Sequence, residues 1–284
     1  MTQGGGSSFK AYFDLMRPLN CIMGGLATIL ALFIALEGDI AEMGSSPILV
    51  AQGFSIAFLF TLAGNSLNDY FDRDVDMENH PNRPIPRGDM KPHEALLLSA
   101  AVFVILVIWS WFITYWAFVI VSSSAVIMVM YEVKLKSTGL PGNISISWLT
   151  GCAFLFGGSV VNQMETVAIM ALLAFFASVG REILKDIEDM GGDKNRKTLP
   201  MRIGPKGAAG AASFGFVSAV ALSPLPFIFG MMGFLYILPV ILANVIFIYS
   251  AVLGFSAPSK AQRTAKLGML FGLLAFFTGT IGMI

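Results

Sequence analysis

Apolar residues run through this chain in long unbroken stretches, separated by short polar segments. Charge-free runs cover about residues 20–36, 47–67, 95–112, 115–130, 143–161, 166–180, 208–227, 234–255 and 267–284. A helix rising 1.5 Å per residue needs roughly 20 apolar residues to cross a bilayer, so the pattern predicts nine transmembrane helices. Two of the divisions rest on length. No charge falls between Glu94 and Glu132, a stretch that fits two spans joined by a tight turn near Thr114. The uncharged interval 207–259 is also too long for one helix, and Pro224, Pro226, Gly230 and Gly233 mark its turn.

With nine spans, alternate loops fall on the same side, and all 18 Lys and Arg residues then lie on the side of the N-terminus. One span more or fewer would break this segregation. By the positive-inside rule the N-terminus is cytoplasmic. Every carboxylate except Glu37, Asp39, Glu42 and Glu165 shares that face, so a formal net charge of zero hides a strongly polarised molecule. Composition agrees: 56% of residues are apolar, 13% are charged, and the mean hydropathy is +0.74, against about a quarter charged in a soluble domain. The expected fold is therefore an all-α integral membrane protein, a single domain over 1–284 in the cell membrane. Its first span, which no cleavable signal pattern precedes, is expected to stay as an anchor.

Cys21 and Cys152 fall within spans and have neither ligand spacing nor a disulfide pattern. Residues 9–18, FKAYFDLMRP, set Phe9, Tyr12, Phe13 and Met16 along one side, as in a helix lying in the membrane interface. Arg17 then stands at the boundary, either snorkelling to headgroups or touching a substrate.

The chemistry concentrates in two segments. Residues 65–88 read NSLNDYFDRDVDMENHPNRPIPRG and put Asn68, Asp69, Asp72, Asp74, Asp76 and Glu78 at the end of the second span. If the helix continues, Asn68, Asp72 and Asp76 recur at i, i+4 and i+8 on one side. Like charges at that spacing repel unless something positive sits against them. Oxygen ligands without His or Cys point to a hard cation, Mg²⁺ first. The proline-rich run 80–88 is stiff and predicts a cap that holds Arg83 and Arg87 near these acids, the alternative being a plain surface turn.

A second segment, GREILKDIEDMGGDKNRKTLP at 180–200, follows the sixth span. Asp186, Asp189 and Asp193 stand at i, i+3 and i+7, with Glu182 one turn earlier and Arg181, Lys185 and Lys194 interleaved. Between the two lies YEVKLKSTGLPGN at 131–143, bringing Tyr131, Lys134 and Lys136 to the membrane edge on the same face. Facing carboxylates with interleaved bases suit a polyanion held partly through Mg²⁺. Diphosphate is the natural guest, and apolar spans beside it suggest a lipid diphosphate.

NDYFDRDVD with the following RPIPRG, and KDIEDMGGDKNRKTLP, resemble the two aspartate-rich motifs of the UbiA superfamily of intramembrane prenyltransferases. The likeness covers nearly the whole chain, including the Arg17-Pro18 entry and the YxxxLK pattern at 131–136, and GREILKDIEDMGGD is most similar to the archaeal digeranylgeranylglyceryl phosphate synthases. The resemblance implies nine helices around a central cavity that opens to the cytoplasm and laterally to lipid. It implies that Asn68, Asp72, Asp76, Asp186 and Asp189 are catalytic and, with Asp193, hold Mg²⁺, Glu182 supporting them. Tyr131, Lys134 and Lys185, joined by Arg83, would contact the diphosphate, and Arg17, Lys136 or Arg181 the acceptor's phosphate. Donor and acceptor would be geranylgeranyl diphosphate and geranylgeranylglyceryl phosphate, among membrane lipids and with no nucleic-acid partner.

Rival readings are an aromatic acceptor such as 4-hydroxybenzoate, or a tetrapyrrole, within the same superfamily. A CDP-alcohol phosphotransferase would show a DGxxAR pattern, which is absent. A transporter would carry ionisable residues near the bilayer midplane, whereas these spans are essentially uncharged.

Overall fold

The computed structural model describes residues 9–190 and 197–283. Among them the chain forms helices and no strand: α1 (Phe9–Met16), α2 (Pro18–Ala35), α3 (Ile40–Ser45), α4 (Pro47–Phe71), α5 (Arg73–Asn79), α6 (Pro92–Trp111), α7 (Tyr115–Val133), α8 (Leu140–Val160), α9 (Met164–Asp189), α10 (Leu199–Leu222), α11 (Leu225–Ile228), α12 (Ile237–Leu253) and α13 (Pro258–Ile281). Nine helical stretches among the described residues are long and apolar enough to span a membrane, namely α2, α4, α6, α7, α8, α9, α10 with α11, 234–253 and α13.

The sequence starts and stops these helices by familiar means. Proline occupies the first turn of α2, α4, α6, α8 and α13, where a missing N–H costs nothing. Thr114 divides the long 95–133 stretch by capping α7, its hydroxyl accepting from Ala117 N at 2.9 Å. The second inferred turn also forms, between the end of α10 at Leu222 and the restart at Phe234, with Gly230 at φ 68°. Within α10 the backbone breaks at Gly204 (φ 77°) before Pro205, so the apolar part begins just after the break, near the expected residue 208.

Lipid cannot drive helices together hydrophobically, so they pack through small residues at close approach. Added Cβ atoms would fall 2.8 Å from Thr28 O at Gly157, where α8 meets α2, and 2.8 Å from Gly180 N at Gly215, where α10 meets α9. Sequential spans pack on one another, and α2 also meets α8, α9 and α13, closing the bundle. α6 stands outside the cavity wall and is held to α4 by Ser99 Oγ donating to Ala63 O at 2.9 Å.

α1 buries Ala11 and Leu15 beside Ile85 and Met90 and leaves Phe9, Tyr12 and Phe13 exposed, the division expected of an interfacial helix. Arg87 ties it to the loop before α6, donating to Asp14 at 2.8 Å and to Asp89 at 2.6 Å. Those hydrogen bonds, Asp14 first, raise the guanidinium above its ordinary value. Arg87 thus turns to Asp14 instead of joining Arg83 at the acidic segment.

Candidate active site

α4 carries its helical spacing through a bend. Asp72 sits at φ −87°, ψ 0° between α4 and α5, yet Asp72 N bonds Asn68 O and Asp76 N bonds Asp72 O, both at 2.8 Å. Asn68, Asp72 and Asp76 therefore keep the expected common face and line a cavity of about 1060 Å³. Asp69, one position on, points away from that row. It is 1% exposed, ion-paired with Arg17 and 3.6 Å from Arg83 Nη1. Arg83 also pairs with Asp76, so the proline-rich loop does hold this arginine against the acids. Arg17 reaches Asp69 from a left-handed backbone, φ 52°, ψ 69°, a conformation that a non-glycine residue keeps only where its surroundings impose it.

The next wall comes from the end of α7. Tyr131, Glu132 and Lys136 line the cavity. The helix stops at Val133, and a 3-10 turn over Leu135–Ser137 swings Lys136 inward, where its Nζ lies 2.7 Å from Asp72 Oδ2 and 2.9 Å from Glu132 Oε2. Lys134 is exposed and is not among the lining residues. Of the two lysines it is Lys136 that reaches the acids. Gly139 follows at φ 77°, ψ −122°, and a Cβ there would stand 2.8 Å from Leu199 N, so the tight return into α8 requires glycine.

α9 stays helical through its acidic tail, and Glu182, Lys185, Asp186, Glu188 and Asp189 open on the same cavity. Asn143 on α8 donates to Asp186 Oδ2 at 3.0 Å, and Gln262 on α13 donates to Glu188 at 3.0 Å. Arg181 pairs with Glu182 and is not among the lining residues. Asp193 lies outside the described residues.

From this charged mouth the cavity continues between apolar walls that include Ile56, Phe154, Phe156, Leu173 and Phe276. Its far end holds Ser223, Tyr236 and Asn244, which are hydrogen-bonded to one another. Tyr236 Oη donates to Ser223 O at 2.7 Å and Asn244 Nδ2 to Ser223 Oγ at 2.8 Å. One end suits a polyanion and the rest suits hydrocarbon.

The donor set fits Mg²⁺. Among the described residues no three His, Cys, Asp or Glu side chains form a ready metal cluster. Mg²⁺ takes one or two carboxylates per ion and completes its shell with water and substrate phosphates. An all-oxygen set split between two walls meets that demand.

Sequence reasoning passed over Glu132, Asn143 and the grip of Asp69 on two arginines. The signal for Glu132 was available, since it ends a stretch uncharged from residue 95.

Comparison with known proteins places these observations. The model of the UbiA prenyltransferase family matches residues 25–278. A digeranylgeranylglyceryl phosphate synthase of Methanopyrus kandleri is 35% identical over 279 residues, covering 96% of this chain and 100% of that protein. A solved structure of digeranylgeranylglyceryl phosphate synthase superposes with a TM-score of 0.83 at 34% identity, over 96% of this chain and 98% of the other. A UbiA homologue from Archaeoglobus fulgidus, bound to GPP and Mg²⁺, shares the fold with a TM-score of 0.66 at 16% identity, over 94% and 99%.

Proposed function

The chain belongs to the UbiA prenyltransferase family, and from that premise we propose that it moves the geranylgeranyl group of geranylgeranyl diphosphate to the free hydroxyl of geranylgeranylglyceryl phosphate, forming the second ether bond of an archaeal lipid. Near full-length similarity to synthases of that activity supports this reading. The observation that carries it is the opening of two acid-rich helix ends onto one cavity whose remainder is apolar.

Asn68, Asp72 and Asp76 on one wall and Asp186 and Asp189 on the other, extended by Asp193, are the residues that would hold Mg²⁺, which when bound neutralises the diphosphate as negative charge develops on it. Lys136, Arg83 and Lys185 offer cationic donors to the phosphate oxygens, and Tyr131 a neutral one. The C1–O bond of the donor breaks and its electron pair leaves with the diphosphate. The acceptor's hydroxyl oxygen forms the new bond to C1, and its proton is taken up by the departing diphosphate. Burial of the prenyl chain adds little affinity, because it leaves lipid rather than water. The apolar walls instead align the chain and keep water from the electron-deficient carbon. Arg17, at the mouth, is the cation we assign to the acceptor's phosphate. Segregation of the bases supports a mouth on the cytoplasmic face of the membrane.

Purified protein given geranylgeranyl diphosphate and Mg²⁺ tests this directly. Product is expected with geranylgeranylglyceryl phosphate and none with 4-hydroxybenzoate. Product from 4-hydroxybenzoate alone overturns the assignment of the acceptor.

A further inference from the structure

One carboxylate on the cavity wall belongs to neither aspartate-rich segment. Glu132, in the last turn of α7, is 7% exposed. A charge this deeply withdrawn needs partners, and both of its oxygens have one. Oε1 accepts from Asn68 Nδ2 at 3.0 Å and Oε2 from Lys136 Nζ at 2.9 Å. The same two donors also serve Asp72 Oδ2, Asn68 Nδ2 at 3.1 Å and Lys136 Nζ at 2.7 Å. Four side chains thus close a ring in which each donor is shared between two carboxylates.

The ring decides which way the Asn68 amide faces. An amide has a donor end and an acceptor end, and only its oxygen can bind a cation. Turning it over would set Oδ1 against two negative charges, so Nδ2 stays on the carboxylates. Oδ1 is left over, and it accepts no hydrogen bond among the described residues. The ring also sets the charge around Asp72. With Glu132 present, two carboxylates share one ammonium and the group remains negative. Without that charge, Lys136 would neutralise Asp72 alone, and a divalent ion would meet a neutral pair.

We propose that Glu132 is a positioning residue: it holds the Asn68 amide with its oxygen free for a cation and holds Lys136 so that Asp72 keeps its negative charge. The inference rests on the reading above, in which Asn68 and Asp72 take Mg²⁺. In this arrangement Glu132 acts through those two neighbours, each of its oxygens accepting from one of them.

The test uses Mn²⁺ as a spectroscopic probe. Full-length protein in detergent, with the unreactive thio analogue of geranylgeranyl diphosphate, is titrated with Mn²⁺ and bound metal is read by electron paramagnetic resonance. Glu132→Gln, nearly isosteric, is expected to bind Mn²⁺ about 10- to 100-fold more weakly, the range for removing a partner that orients a metal ligand. The Mg²⁺ concentration giving half-maximal transfer rises in step, while the rate at saturating Mg²⁺ falls much less. Glu132→Asp keeps the charge but is too short to reach both donors, and shifts the affinity in the same direction by less. Either variant binding Mn²⁺ as tightly as the unaltered protein overturns the proposal, as does a loss of rate with metal affinity unchanged. Failure of the unaltered protein to bind Mn²⁺ would remove the metal reading itself, a result distinct from these.

Discussion

Lys136 Nζ lies 2.7 Å from Asp72 Oδ2, an ion pair between residues 64 apart in the chain that joins the end of α4 to the turn after α7. Lys134, two residues earlier, is exposed and off the cavity wall. Lys136→Met should therefore cost at least about tenfold more in kcat/KM for geranylgeranyl diphosphate than Lys134→Met, because a charge-assisted bond to phosphate is worth roughly 1.5–3 kcal/mol. Equal losses in steady-state assays would contradict the geometry.

Asp72→Asn and Asp186→Asn each remove one carboxylate from opposite walls of the same cavity. Each should lower transfer by about 10²-fold or more, the loss seen when a group that stabilises developing charge is deleted. Both proteins should elute as the unaltered one does on gel filtration. Chelation with EDTA should abolish transfer in the unaltered protein, and added Mg²⁺ should restore it.

Asp69 is the buried centre of a pair of arginines, and its Oδ2 is buried with no hydrogen-bond partner among the described residues. Asp69→Asn leaves Arg17 and Arg83 without their shared counter-charge. Breaking a buried pair from one side costs about 3 kcal/mol at the low end of the usual range, which applies because both guanidinium groups reach solvent. A clear fall in Tm of the detergent-solubilised protein is expected. Unchanged Tm would mean that Arg17 and Arg83 hold their places without Asp69.

Orientation can be read with thiol chemistry, since Cys21 and Cys152 are both buried. Ser45, at the end of α3, and Ser137, in the 3-10 turn after α7, are exposed and fall between spans on faces assigned as opposite. A membrane-impermeant maleimide added to intact cells should label Ser45→Cys and spare Ser137→Cys. The reverse pattern would invert the topology drawn from the Lys and Arg distribution.

The spans were legible because charge cannot hide in hydrocarbon. Every division of the apolar stretches, including the two placed by length alone, falls at a turn in the structure. The row Asn68, Asp72, Asp76 was legible because helical hydrogen bonds bridge the bend at Asp72. Periodicity fails where the helix does. Past Val133 a 3-10 turn, not another α-turn, decides that Lys136 points inward and Lys134 outward. Arg181 was drawn to the site by its neighbours in sequence, yet its adjacent partner Glu182 holds it aside. The lone charge of Glu132 stood out after a long uncharged stretch, but what Glu132 and Asn143 hold lies 64 and 43 residues away, which no local spacing reveals.

The pairings of Arg83 with Asp76 and of Lys136 with Asp72 have a consequence for how an anion enters. Asp76 and Asp72 at the mouth each already own a counter-ion supplied by the chain itself. If Asp72 and Asp76 hold the cation of a metal–diphosphate complex, the ammonium of Lys136 and the guanidinium of Arg83 would be freed to serve the phosphate. Loading would then be an ion exchange at these two carboxylates, neither of which has to stand as a naked charge in a low-dielectric pore beforehand.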